Sequence, residues 1–166
     1  SRVAGSGNAW TETVPTGVLP GIWPRATATG SNMIHMINAN YQSAAGNNFV
    51  QYYRSPDAGT TWDIQQYRLP GIDTAGGYNI MSAEVYGITA QQNKVAVVAA
   101  ESVNDLAVWI STSNGDIGTW TRTRILDFPF DNFDGSEVTD IDGDGFADNI
   151  TTNDGTHAIL IDNNGM

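Results

Sequence analysis

The sequence predicts an all-β protein, and three observations carry that expectation. Glycine is abundant (18 of 166 residues), threonine and asparagine are frequent, and only 15% of residues are charged, below the usual quarter or so for soluble domains. Short runs rich in Val, Ile, Thr, Tyr and Trp are separated by Gly-, Asn- and Asp-containing turns, the pattern of strands and hairpins. A turn unit also recurs along the chain with its flanking strand-like runs.

Residues 1–24 form an irregular lead-in dominated by Gly, Pro and Thr, with a short strand expected at 11–14 and a turn at Pro20-Gly21. Residues 25–71 form a first unit. Runs 26–29 and 31–38 read as a hairpin around Gly30, and 41–48 as a polar loop. Runs 49–54 and 62–69 then flank Ser55-Pro56-Asp57-Ala58-Gly59-Thr60-Thr61-Trp62. Asp57 can accept hydrogen bonds from the turn's own backbone, and Gly59 supplies a positive φ if the turn requires one.

A second unit covers 72–130. Its expected strands are 84–89, 94–100, 106–112 and 121–126. The stretch Val95-Ala96-Val97-Val98-Ala99-Ala100 is continuously apolar, as for a strand covered on both faces. Ser111-Thr112-Ser113-Asn114-Gly115, ending at Thr119-Trp120, copies the first turn with Ser113 in place of aspartate and two residues inserted. Leu69-Pro70 and Phe128-Pro129 close the two units alike. Ser55 and Ser111, and Trp62 and Trp120, recur at nearly the same offset. Repeats of roughly 40 to 50 residues or more, with about four strands each, are the blades of β-propellers.

Residues 131–166 form a third, incomplete unit, with strands expected at 138–141, 149–152 and 156–161 and a further turn at 162–166. The expected architecture is therefore a partial β-propeller of about three antiparallel blades. Three blades do not close a propeller, which needs four to eight, so the remainder of a larger polypeptide or assembly is the expected partner.

The most specific chemical signal is Asp140-Ile141-Asp142-Gly143-Asp144-Gly145-Phe146-Ala147-Asp148. Carboxylates at loop positions one, three, five and nine, glycine at six and a backbone carbonyl at seven wrap oxygens around a hard cation. The expected ligands are Asp140, Asp142, Asp144, the Phe146 carbonyl and Asp148, and the expected ion is calcium, which accepts six to eight oxygens in flexible geometry. An EF-hand is disfavoured, because position twelve is Thr151 instead of glutamate and the flanks read as strands.

The Ser-x-Asp-x-Gly-x-Thr-Trp turn resembles the Asp box of sialidase-like β-propellers. The acidic loop, with Gly155 and Asn163-Asn164-Gly165 after it, resembles the calcium loops of integrin-like FG-GAP and VCBS repeats. Such mixtures are similar to those of large exported bacterial surface proteins. The resemblance implies an extracellular or cell-surface location and a structural calcium ion. It also implies a recognition or scaffold role, with a glycan or another surface protein as ligand. Two alternatives stay open. One is part of a glycan-degrading enzyme whose catalytic residues lie outside this chain, and the other is a cargo or subunit of a larger surface or secretion assembly.

Several classes are disfavoured. The net charge of −11 repels phosphates and so opposes nucleic-acid and anionic-membrane partners. No apolar run is long enough to span a membrane. Cysteine is absent, which removes thiol and disulfide chemistry. A sialidase-type centre needs an arginine cluster, a tyrosine nucleophile with a glutamate partner and an acid aspartate. Arg25, Arg54, Arg68, Arg122 and Arg124 show no such motif, and Arg122 and Arg124 read as a solvated strand edge. Glu84 and Glu101 have no spacing that pairs them, and His35 and His157, in apolar alternating runs without zinc spacing, read as satisfied strand histidines, so no catalytic residue is assigned. Trp62 and Trp120 are expected in the core between units. Trp10, Trp23 and Trp109 are expected to be partly buried against blade edges, with stacking on a sugar face the alternative for Trp10 and Trp23, which lie in irregular segments.

Overall fold

The fold is that of a computed structural model, which describes residues 21–40, 49–78, 85–100, 103–133, 139–148 and 156–162. The described residues are all-β apart from one short 3₁₀ turn. They form two four-stranded antiparallel sheets, each a simple meander in chain order. The first contains β1 (Gly21–Thr29), β2 (Met33–Asn40), β3 (Val50–Ser55) and β4 (Ile64–Arg68). The second contains β5 (Tyr86–Gln91), β6 (Lys94–Ala99), β7 (Leu106–Ser111) and β8 (Thr121–Leu126).

Turn chemistry sets the boundaries. Gly30 takes a left-handed φ of 60° between β1 and β2, and the strands pair from Thr29 opposite Met33 onward. Pro24 has no N–H to donate to a ladder, and the register of β1 shifts between Ile22 and Arg25, with Trp23 at φ 48°. β1 starts earlier than the apolar pattern indicates, because the bulge lets an irregular-looking stretch rejoin the sheet.

Period-two alternation places one face of each sheet in a shared core. In the first sheet Ile37 lies opposite Tyr52 and Ala39 opposite Val50. In the second, Val97 lies opposite Trp109 and Ala99 opposite Ala107. All eight side chains belong to one buried cluster spanning both sheets. Residues 95–100 are all buried, which explains the unbroken apolar run. β1 and β5 lie side by side. The Tyr86 hydroxyl in β5 accepts from the Ala39 N–H at 2.9 Å and donates to the Trp23 carbonyl at 2.7 Å.

The connector after β4 is part of this core. Leu69, Ile72 and Tyr78 are buried, and the Pro70 carbonyl accepts from the Trp109 indole at 2.7 Å. The 3₁₀ turn Thr74–Gly76 is capped by Asp73, whose carboxylate accepts the Gly76 N–H. The Tyr78 hydroxyl donates to the Asp105 carbonyl at 3.1 Å.

The third unit differs from expectation. The described residues 139–141 and 156–161 form no strand. Apolar alternation supplies a face to bury but not a hydrogen-bonding neighbour, and the ladder is what makes a strand. The 156–162 segment instead meets the second sheet through His157, whose Nε2 lies 3.1 Å from the Ala100 carbonyl. The strands expected at 11–14 and 149–152, the turn after Asp162, and Trp10, Glu84 and Glu101 lie outside the described residues.

Candidate metal centre

The loop of residues 140–148 is organised by its own carboxylates. Asp140 Oδ1 accepts the Gly143 and Asp144 N–H groups at 2.6 and 3.0 Å, and its Oδ2 accepts the Gly145 N–H at 2.8 Å. Asp148 Oδ2 accepts the Ile141 N–H at 2.7 Å, while the Asp148 N–H donates to the Thr139 carbonyl, pinching the loop's two ends together. Gly143 and Gly145 take left-handed φ values of 80° and 87°, a conformation that glycine adopts without a Cβ penalty. These backbone donors, that of Gly145 foremost, hold the Asp140 carboxyl below the usual carboxylate range.

One carboxylate oxygen from each of Asp140, Asp142 and Asp148 lies within 4.8 Å of the other two. Oxygens on opposite sides of a calcium ion sit up to about 5 Å apart, twice a bond of 2.3–2.6 Å. The triad therefore fits a hard cation of that size. Asp144 is placed differently: its Oδ1 accepts the Phe146 N–H at 2.8 Å, and it stands outside the converging group. The Phe146 ring is exposed, so it is as a backbone donor of oxygen that this residue would serve.

The serine-headed turns carry no catalytic geometry. In the first, the Ser55 hydroxyl accepts the Gly59 N–H at 2.7 Å, and the Asp57 carboxylate accepts both the backbone and hydroxyl of Thr61 at 2.7 Å. In the second, the Ser111 hydroxyl accepts the Gly115 N–H at 3.0 Å. There Asp116 supplies the carbonyl that Thr119 bonds, as Asp57 does for Thr60. Its carboxylate is thereby free to reach Arg54 in the first sheet, at 2.5 Å.

One feature escaped the sequence. Arg122 was expected on a solvated edge, yet its Nη2 lies 2.9 Å from the buried carboxylate of Asp105, which also accepts the Phe128 N–H. Arg124 does reach solvent, and it too contacts Asp105, at 3.4 Å. His35 is a satisfied strand histidine, as its apolar run predicts: its Nδ1 lies 2.7 Å from the Tyr52 hydroxyl and its Nε2 3.2 Å from the Thr29 hydroxyl, in a buried chain. Trp120 packs edge-to-face on Tyr52 across the two sheets and Trp109 is fully buried, whereas Trp23 is exposed.

Compared with protein-family models, curated proteins and solved structures, the chain matches none.

Proposed function

We propose that this chain is a calcium-stabilised recognition or scaffold module of a larger secreted or cell-surface protein, built as part of a β-propeller. The observation that carries the reading is the convergence of Asp140, Asp142 and Asp148 oxygens in a loop pinned by backbone N–H groups. A propeller arrangement is supported by two four-stranded meanders whose first strands, β1 and β5, are neighbours. Related hydrogen-bonded turns between the third and fourth strand of each sheet add to it. Calcium has a structural role in this reading. It neutralises the crowded carboxylates, and by binding only the folded loop it stabilises that loop through mass action.

Calorimetric titration with calcium and magnesium tests the proposal, alongside thermal melting in each ion. Calcium uptake with a raised melting midpoint is expected, with magnesium weaker because its octahedral shell is less tolerant. A folded sample that takes up no calcium at millimolar concentration overturns it.

A further inference from the structure

We propose that the groove between the two sheets, at their common hairpin end, binds a neutral saccharide. In each meander the first-to-second and third-to-fourth strand turns fall at the same end, so four turns can meet there. The structure brings them together around a shallow, open depression of about 360 Å³. Ser31 and Asn32 come from the β1–β2 turn, Pro56 from the β3–β4 turn, Gln92 from the β5–β6 turn and Asn114 from the β7–β8 turn.

No charged side chain lines it, on a chain whose net charge is −11, and hydroxyl and carboxamide groups stand beside the apolar Met33 and Pro56. Hydroxyl and carboxamide side chains each present donor and acceptor capacity, which matches the paired donor–acceptor character of sugar hydroxyls. Nothing in the lining would hold an ionic group.

The rim is braced in advance, which limits the ordering cost of binding. The Ala58 N–H donates to the Asn32 carbonyl at 2.7 Å, joining the two turns of the first sheet. The Asn114 N–H donates to the Asn93 carbonyl at 2.7 Å, joining the two turns of the second. Arg54 Nη1 donates to the Asn114 carbonyl at 2.9 Å and so joins the sheets. Gln92 and Asn114 hold left-handed φ values of 55° and 51°. Both stand in strand-to-strand turns, whose geometry calls for left-handed residues, so their side chains are held in set places. The lining includes no aromatic ring, so the affinity expected is weak, on the order of 1 mM.

This inference deepens the recognition role proposed above and rests on it. The test follows backbone amide NMR shifts while maltose, cellobiose and lactose are added in turn, with sialyllactose and a blocked tripeptide as comparators. Saturable shifts at residues 30–32, 92 and 114 with at least one neutral disaccharide are expected. The Gln92→Gly/Asn114→Gly double variant keeps both left-handed turns while removing the amides, and should weaken that binding at least tenfold. An unchanged melting midpoint will show that the variant still folds. The inference is overturned if none of the three disaccharides gives saturable shifts, if the double variant binds as well as the parent, or if sialyllactose or the tripeptide binds more tightly. Calcium uptake measured on the same sample separates the two failures, because a chain that takes up calcium and ignores saccharides loses only this inference.

Discussion

Arg54 and Asp116, separated by 62 residues of chain, meet at 2.5 Å and lock the two sheets at their hairpin end. The Arg54 side chain is only 12% exposed. The same guanidinium is held within its own sheet by Asp63, at 2.7 Å, and donates to the Asn114 carbonyl. One cation thus fixes a strand, its return strand and a turn of the neighbouring sheet.

Removing that cation should cost more than removing either anion. Arg54→Ala is expected to lower stability by about 1–2 kcal/mol, because a mostly buried side chain and its hydrogen bonds to Asp63 and the Asn114 carbonyl are lost while both partner carboxylates stay solvated. Asp116→Asn should cost under about 1 kcal/mol, since that carboxylate is well solvated. Urea melts of the two single variants and the double variant measure the coupling. Additive effects would show that the cross-sheet contact contributes nothing.

Gly115 lies where the two sheets approach closely. A Cβ there would sit 2.0 Å from the Tyr52 hydroxyl, and the position holds φ 75°. Gly115→Ala is therefore expected to destabilise by about 3 kcal/mol, from overpacking and backbone strain together. Tyr52→Phe in the same chain should recover part of that loss. If the double variant is instead the sum of the singles, the clash is not what Gly115 avoids.

Acid should weaken the core through His35. Burial first, and the nearby Arg54 charge second, push its pKa down to about 4, against a weaker opposing pull from Asp63. The folded protein thus keeps His35 neutral where the unfolded chain, with an ordinary pKa near 6.5, already binds a proton. Its contribution is fully present above about pH 6.5 and is lost progressively as the pH falls toward 4, by about 3 kcal/mol in all. His35→Gln should flatten the stability profile across that window. An unchanged slope would place the acid sensitivity elsewhere.

Within the acidic loop, Asp140→Asn and Asp148→Asn should each abolish calcium uptake in calorimetry. Asp144→Asn should weaken it less, because the Asp144 carboxylate is engaged with the Phe146 N–H and not with the converging oxygens. Equal losses at all three positions would mean that Asp144 swings inward to complete the shell.

Local chemistry was legible in the chain and distant pairing was not. β8 spans Thr121–Leu126 as alternation predicts, and Gly30 and Asp57 announce their turns. Nothing near Arg54 in sequence indicates Asp116, because the second turn looks like a weakened copy of the first. Only the register of two sheets shows that its aspartate faces outward to a partner. Arg122 misled for a similar reason. Its strand is exposed almost throughout, but its partner Asp105 is buried at the start of β7. In the acidic loop the aspartate spacing is matched by converging oxygens of Asp140, Asp142 and Asp148, whereas the different position of Asp144 depends on a bond from the Phe146 N–H that spacing does not show.

The connector after β4 has a consequence for how such a chain can be rearranged. Leu69, Ile72 and Tyr78 are buried, and Pro70 and Asp105 bind across it. Duplicating or grafting the second sheet from β5 onward would leave Trp109 without its acceptor and open a hole beside it. The second sheet's structural unit therefore begins upstream, at Leu69, and a graft that starts there carries the acceptor of Trp109 with it.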